Sequence, residues 1–366
     1  MNLLHLDEQR GWRGGEQQAY YLIRGLIEAG YTVYISGRHR SEFLNRVSEL
    51  PVAGILPLPY LNEWDFISAV RLAQYLRNHQ IDIIHAHTSH THTLACLAQR
   101  LARHGRVVVS RRVDFPPRPG RINRWKYSAP DCIVAISGCI YEILRQYGVS
   151  DDKLRLVHSA IDPTRFTNLE NNTFNEYDIA KDKMSGPILG NVAALAPHKD
   201  QATLIEAMPE VLTIYPDAHL LIAGEGKLRN ELEKKITDMG LQDNIHLTGF
   251  IKDIPGFLKT LDVFILSSKE EGLGTSVLDA MACRVPVIAT DAGGIPEMVR
   301  HHETGLLVPV GNTKMLAEAI IAVLQDPESA KLRCENAYRM LHEQFSVQQM
   351  IDGNLRVYNE LMGCQP

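Results

Sequence analysis

Short apolar runs rich in valine and isoleucine alternate along this chain with longer segments in which apolar residues recur every three or four positions. The first pattern suits strands covered on both faces and the second suits amphipathic helices, so their alternation predicts βαβ units around a parallel sheet. The alternation occurs twice. In the first half it predicts strands at Asn2–Leu6, Thr32–Ser36, Ile83–Ala86, Val107–Ser110 and Cys132–Ile136, separated by helices such as Gln17–Ala29 and Phe66–Asn78. In the second half the predicted strands are Ile188–Val192, His219–Ala223, Ile245–Leu247, Val263–Leu266, Val287–Thr290 and Gly305–Val308. Phe166–Gly186, between the halves, is polar, rich in asparagine and without apolar periodicity, as a linker would be. The expected organisation is therefore a first α/β domain over 1–165, a linker over 166–186, a second α/β domain over 187–345 and a last helical segment over 346–366.

Composition agrees with two cores. The 366 residues are 45% hydrophobic and 22% charged, enough apolar side chain to fill two domains and leave a cleft between them. No apolar stretch approaches the roughly 20 residues of a membrane-spanning helix, and the opening run Met1–Leu6 has no charged leader, which predicts a cytoplasmic, soluble chain. The cysteines (Cys96, Cys132, Cys139, Cys283, Cys334, Cys364) show no paired metal spacing and read as reduced thiols. A net charge of −5 is unremarkable, but Arg100–Lys126 holds nine Lys or Arg against the single acid Asp114, interleaved with Phe115 and Trp125. Such a segment suits an anionic acceptor or an acidic membrane surface, with Arg118, Arg121 and Arg124 as its contacts; it equally suits a solvated face balanced elsewhere. No nucleic-acid partner is expected.

Open parallel sheets bind ligands at the carboxyl ends of their strands, so the strand-to-helix turns carry the candidate chemistry. Gly11-Trp12-Arg13-Gly14-Gly15-Glu16-Gln17 follows the first strand. Its glycines admit a ligand close to the backbone at a helix N-terminus, although a tight βα connection explains them as well. Ala193–Asp200 places Lys199 near a second helix start, where an ammonium and the helix N-terminus together suit a diphosphate. Ser267–Ala280 is richest: Glu271 precedes a Gly-x-Gly turn and Asp279 stands eight residues further on, within an otherwise apolar helix where a carboxylate needs a partner. His85, His87, His90 and His92 cluster at the end of a strand; without carboxylate or thiolate company they suggest a ligand contact by His87 rather than a metal site.

With these positions in place the chain resembles the retaining glycosyltransferases of family 4. The resemblance is carried in order by Gly14-Gly15-Glu16, Asp82–His87, Asp131–Ser137, Val157–Asp162 with Phe166, Leu221–Gly226, Gly249, Asp262–Ser268, Glu271–Ala282 and Pro286–Glu297. It implies an α/β chain of the GT-B fold, two Rossmann-like domains facing each other across a cleft, with the segment 346–366 packed back on the N-terminal domain. It implies that Glu271 binds sugar hydroxyls of a nucleotide-sugar donor and Asp279 its ribose. Lys199, with the backbone of Gly274, Thr275 and Ser276, would hold the diphosphate, and Gly249, Phe250 and Ile251 would flank the base. Gly14 and Gly15 would face the reacting centre, with His87 near the sugar; Gly15, His87, Lys199 and Glu271 are then the catalytic set.

The expected reaction moves a hexose or N-acetylhexosamine from a UDP-sugar, or as second choice GDP-mannose, to a glycan or lipid-linked acceptor such as lipopolysaccharide, with no metal or cofactor. The enzyme would work in the cytoplasm, with peripheral contact at the inner membrane as a further option. A nucleotide-sugar 2-epimerase and a catalytically silent nucleotide-sugar sensor are the alternatives. The sequence departs from the family pattern at three places: Asp279 replaces a glutamate, Ala194 stands where an arginine commonly grips the diphosphate, and Ser159-Ala160 replaces Asn-Gly.

Overall fold

The computed structural model describes residues 1–166 and 184–364, so most of the expected linker, residues 167–183, lies outside the described residues. The chain divides into two compact units, Met1–Ala160 with Val347–Pro366, and Ile161–Ser346. The second unit thus takes in residues 161–165, expected at the end of the first domain. Ile161 bridges to Ser346 and donates its N–H to the Phe345 carbonyl at 2.9 Å, and Phe166, expected in the linker, is buried at the end of a 3-10 turn.

The first unit is built on β1 (Asn2–Asp7), α1 (Gly14–Glu28), β2 (Thr32–Arg38), α2 (Glu42–Val47), β3 (Gly54–Leu58), α3 (Phe66–Asn78) and β4 (Ile83–Ala86). It continues through α4 (Ser89–Ala102), β5 (Arg106–Arg111), α5 (Arg121–Ser128), β6 (Cys132–Ala135), α6 (Gly138–Tyr147) and β7 (Leu154–Leu156). The second contains β8 (Ile188–Val192), α7 (Gln201–Ile214), β9 (His219–Ala223), α8 (Arg229–Asp238), β10 (Ile245–Gly249), α9 (Ile254–Lys259) and β11 (Val263–Leu266). It ends with α10 (Thr275–Ala282), β12 (Val287–Thr290), β13 (Leu306–Val308), α11 (Thr313–Gln325) and α12 (Pro327–Gln344), after which α13 (Val347–Leu361) belongs to the first unit.

Each unit carries one parallel sheet, ordered β3-β2-β1-β4-β5-β6-β7 in the first and β10-β9-β8-β11-β12-β13 in the second. Two strands escaped the sequence reading, β3 and β7, and both are sheet edges. Pro57 opposes Gly37 within β3; an edge tolerates a residue with no N–H to donate, which is why the proline hides the strand from pattern reading without breaking it. β7 is only three residues long and shows no period at all.

Order β1 beside both β2 and β4, and β8 beside both β9 and β11, means that successive crossovers leave in opposite directions. At the carboxyl end of that reversal no connection covers the sheet, so the loops after β1, β4, β8 and β11 border an opening in each unit. The loops in the second unit are held close by glycines. A Cβ on Gly224 would fall 1.9 Å from the Ala193 carbonyl oxygen, and one on Gly293 2.0 Å from that of Glu271.

Helix α13 closes the first unit by packing on α1. A Cβ on Gly25, inside α1, would lie 1.9 Å from Cδ1 of Ile351, so the glycine is what lets the two helices approach despite its cost of about 0.5–1 kcal/mol in a helix interior. Gly25→Val is expected to destabilise the protein by about 1–3 kcal/mol in chemical denaturation, with part of the loss recovered in the double variant Gly25→Val/Ile351→Ala. Additive losses would contradict the contact.

Candidate functional site

The second unit brings Lys199 and Glu271 together. Lys199 ends a 3-10 turn after β8, and Glu271 lies in the turn after β11, adjacent strands at the sheet reversal. The ammonium and the carboxylate form an ion pair, with the Ser268 hydroxyl donating to the same carboxylate oxygen at 3.3 Å. Their side chains are 17% and 13% exposed, so each charge relies on the other in the absence of a ligand. The two loops are stitched by further bonds: Ser267 Oγ to the Lys199 carbonyl at 3.1 Å, the Lys269 N–H to the His198 carbonyl at 2.7 Å, and Lys269 Nζ to Asp200 at 2.9 Å.

Gly274 caps α10 at φ +90, a left-handed conformation that glycine adopts without strain, and a Cβ there would meet Glu271 Cγ at 3.1 Å. The first-turn N–H groups of Thr275 and Ser276 have no partner inside the helix by its geometry, which makes this end suited to an anion. Asp279 follows on the same helix. Its carboxylate accepts no hydrogen bond from any described residue, and burial pushes its pKa up to about 6, with Arg165 pulling the other way. The partner that a carboxylate on this helix was expected to need is not supplied by the described residues.

Gly249, Phe250 and Ile251 lie at the end of β10. Gly249 has φ +77 and accepts from the Gly224 N–H at 2.7 Å; Phe250 is 67% exposed, and Ile251 is buried, leaving Phe250 as the open surface of this loop. Ala194 is exposed and its carbonyl accepts from Gln201 Nε2 at 3.1 Å, so the loop keeps its shape without a guanidinium. A cavity of about 720 Å³ in this unit lies elsewhere, beside Pro187, Asp262 and Pro286, just ahead of β8, β11 and β12. None of the expected donor residues lines it.

In the first unit Gly14 and Gly15 open α1, exposed and half-exposed respectively, and the Glu16 carboxylate accepts from the Arg13 N–H at 2.7 Å. His87 is buried. Its Nε2 pairs with His5 Nδ1 at 2.9 Å, and its Nδ1 has no hydrogen-bond partner among the described residues. Burial, then the neighbouring His85, His5 and Arg112, hold it well below the usual imidazole range. The sequence left its charge open; the structure makes it neutral.

His5, His85 and His87 are, among the described residues, the one group whose donor atoms lie close enough for a metal, all within 4.8 Å. The donor set does not favour one, because His85 spends both nitrogens, on Tyr358 OH at 2.5 Å and Ser110 Oγ at 2.8 Å. No carboxylate of the described residues completes the group.

Two charged residues at this end escaped the sequence reading. Asp7 closes β1 and Arg112 follows β5; both have an atom without a hydrogen-bond partner among the described residues, Asp7 Oδ2 and Arg112 Nε. Burial above all, with Glu16 and Glu8 adding to it against the Gln9 N–H, pushes Asp7 up to about 8, and burial lowers Arg112 to about 10. An acid following the Leu-rich run of β1 was the available signal. Ser159-Ala160, the third departure, has local work: Ser159 Oγ accepts from Arg112 at 3.3 Å, and Ala160 exchanges two 2.7 Å bonds with the Gln18 amide. Arg118, Arg121 and Arg124 are all exposed.

Residues 12–165 match the model of glycosyltransferase family 4, and residues 174–340 that of glycosyl transferases group 1. The chain is 25% identical over 310 residues to the N-acetyl-alpha-D-glucosaminyl L-malate synthase of Bacillus anthracis, covering 82% of this chain and 80% of that one. It is 24% identical over 315 residues to the UDP-Gal:alpha-D-GlcNAc-diphosphoundecaprenol alpha-1,3-galactosyltransferase of Escherichia coli, covering 81% and 80%. Among solved structures, Alr3699/HepE of Anabaena in complex with UDP and glucose superposes with a TM-score of 0.85 at 19% identity, over 98% of this chain and 100% of that one. With both halves matched and both sheets in Rossmann order, this chain is a member of glycosyltransferase family 4, an enzyme of the GT-B fold.

Proposed function

We propose that this glycosyltransferase takes a hexose or N-acetylhexosamine from a nucleotide diphosphate sugar and transfers it with retention to a lipid-linked or envelope glycan such as lipopolysaccharide. A UDP-sugar is the first choice of donor and GDP-mannose the second. The observation that carries the donor reading is the Lys199–Glu271 pair beside the N-terminus of α10, with Asp279 on the same helix accepting no hydrogen bond from any described residue. A diphosphate would draw on Lys199 and the N–H groups of Thr275 and Ser276, freeing the Glu271 carboxylate to accept from sugar hydroxyls. Asp279 would accept from the ribose, across a water where its shorter side chain falls short. Phe250, 67% exposed at the end of β10, would stand beside the base.

In this reading catalysis is positioning plus stabilisation of the charge that develops on the leaving diphosphate, by Lys199 and the α10 N-terminus. The UDP and glucose held by the Anabaena structure, and the UDP-Gal and diphosphoundecaprenol in the name of the Escherichia coli relative, support a UDP-sugar donor and a lipid-linked acceptor. The same relatives give no support to an epimerase or a silent sensor.

Thermal unfolding against UDP-, GDP-, ADP- and CDP-sugars tests the donor. One nucleotide class is expected to stabilise the wild type, by about 2.7 kcal/mol at one hundred times its dissociation constant, with the sugar-dependent part lost in Glu271→Ala. No stabilisation by any donor would refute the site.

Asp279 supplies a second test. Its folded pKa of about 6 exceeds the ordinary 3.8, so the folded state keeps the proton longer than the unfolded chain. Stability of the ligand-free protein should therefore fall as pH rises from about 4 to 6, and the penalty should persist above that. Asp279→Asn is expected to raise the unfolding temperature at pH 7.5 and leave it nearly unchanged at pH 4, while nucleotide affinity drops. Equal shifts at the two pH values would show that the burial of this carboxylate carries no such penalty.

A further inference from the structure

On the outer surface of the first unit, α3 buries Leu72 and Leu76 further along but reverses the usual layout of a helix in its first turns. The buried side of its first turns uses small residues, Ser68 and Ala69, while Phe66 and Ile67 face outward at 62% and 66% exposure, followed one turn on by Val70. A surface helix ordinarily places its large apolar residues inward. Leu61 and Trp64, in the loop leading into the helix, are exposed as well, and Ile122 on α5 is 63% exposed.

This apolar strip is not a frayed end. Asp65 caps α3 by accepting from the Ser68 N–H at 3.0 Å and its hydroxyl at 2.6 Å, and it also accepts from the Leu61 N–H at 3.1 Å, which ties the loop to the helix. The Trp64 ring stacks on Trp125 of α5 with centroids 5.8 Å apart, and Arg100 lies over Trp125 at 5.2 Å. Glu63 pairs with Lys126 and accepts from Thr93 at 2.8 Å. The surface is therefore presented by a fixed scaffold.

Its exposed, unpaired charge is positive. Glu63 is spent on Lys126, and Asp65 is buried as a helix cap. Arg71 on α3 and Arg121 and Arg124 on α5 are exposed and form no ion pair with any described residue. Large apolar side chains flanked by unpaired arginines match the boundary of an anionic bilayer, where apolar groups enter the acyl region and guanidinium groups stay with the headgroup phosphates.

We propose that the strip formed by the Leu61–Val70 segment and α5 docks the enzyme on an anionic phospholipid membrane, with Trp64, Phe66 and Ile67 entering it and Arg71, Arg121 and Arg124 holding the headgroups. The purpose of this docking rests on the lipid-linked acceptor proposed above; its evidence does not.

The test is co-sedimentation of the full chain with vesicles of phosphatidylcholine alone and of phosphatidylcholine with phosphatidylglycerol. Wild type is expected to bind the anionic vesicles at least tenfold more tightly, with a blue shift of tryptophan emission. Ile67→Asp and Arg121→Glu/Arg124→Glu should each lose tenfold or more, while Ile67→Asp keeps the nucleotide-induced thermal shift. Absence of partition, equal partition into the two vesicle types, or full binding by Ile67→Asp would overturn the proposal. So would a dimer in solution that Ile67→Asp dissociates, since a second copy would then cover the strip. A chain that ignores vesicles yet responds to nucleotide-sugars disproves the docking alone, and the converse disproves the donor reading alone.

Discussion

The reversal of strand order in each parallel sheet is the constraint from which the rest of the molecule follows. A right-handed crossover from β1 to β2 covers one face of the sheet, and the chain then returns to place β4 on the other side of β1. β8, β9 and β11 repeat this in the second unit. Each reversal leaves two neighbouring strand ends whose loops diverge, and that opening is where polar groups can be buried without being capped by a helix. Gly14 and His87 stand at one such opening, Lys199 and Glu271 at the other.

The openings differ in how they hold charge. In the second unit Lys199 and Glu271 neutralise each other, and the close approach of Gly293 and Gly294 to the backbone of Glu271 and Gly272 keeps that turn in place. Asp279 accepts no hydrogen bond from any described residue, and desolvation, opposed by Arg165, raises its pKa. A ligand that supplies hydroxyl donors would relieve that cost, which is the physical sense in which a binding residue is poorly placed until the ligand arrives. In the first unit three stacked histidines stay neutral under the sheet end, with Tyr358 of α13 holding His85, while Asp7 and Arg112 remain incompletely bonded.

Helix α13 shows how distant sequence is recruited to this arrangement. It follows the whole second unit in the chain yet belongs to the first, where Gly25 admits Ile351 and Tyr358 reaches the histidine stack. On the outer surface, the first turn of α3 turns Phe66 and Ile67 away from the core while Leu72 and Leu76 further along stay inside it, and the Asp65 cap and the stack of Trp64 on Trp125 fix that turn.

Much of this was legible in the chain itself. Ile83–Ala86, Ile188–Val192, His219–Ala223, Val263–Leu266, Val287–Thr290 and helix Phe66–Asn78 have the bounds that their patterns predict, because strands covered on both faces must be continuously apolar and short. The turns after β1 and β11, rich in glycine and charge, and the charged turn after β8 were visible because they break the apolar pattern at the strand ends. Tertiary structure alone decided which of those residues meet. Lys199 and Glu271 are far apart in sequence and become a pair only because β8 and β11 lie side by side. The neutrality of His87, the raised pKa values of Asp7 and Asp279, and the outward-facing apolar residues of α3 depend on burial, and burial is a property of what packs around a residue rather than of the residue's neighbours in the chain.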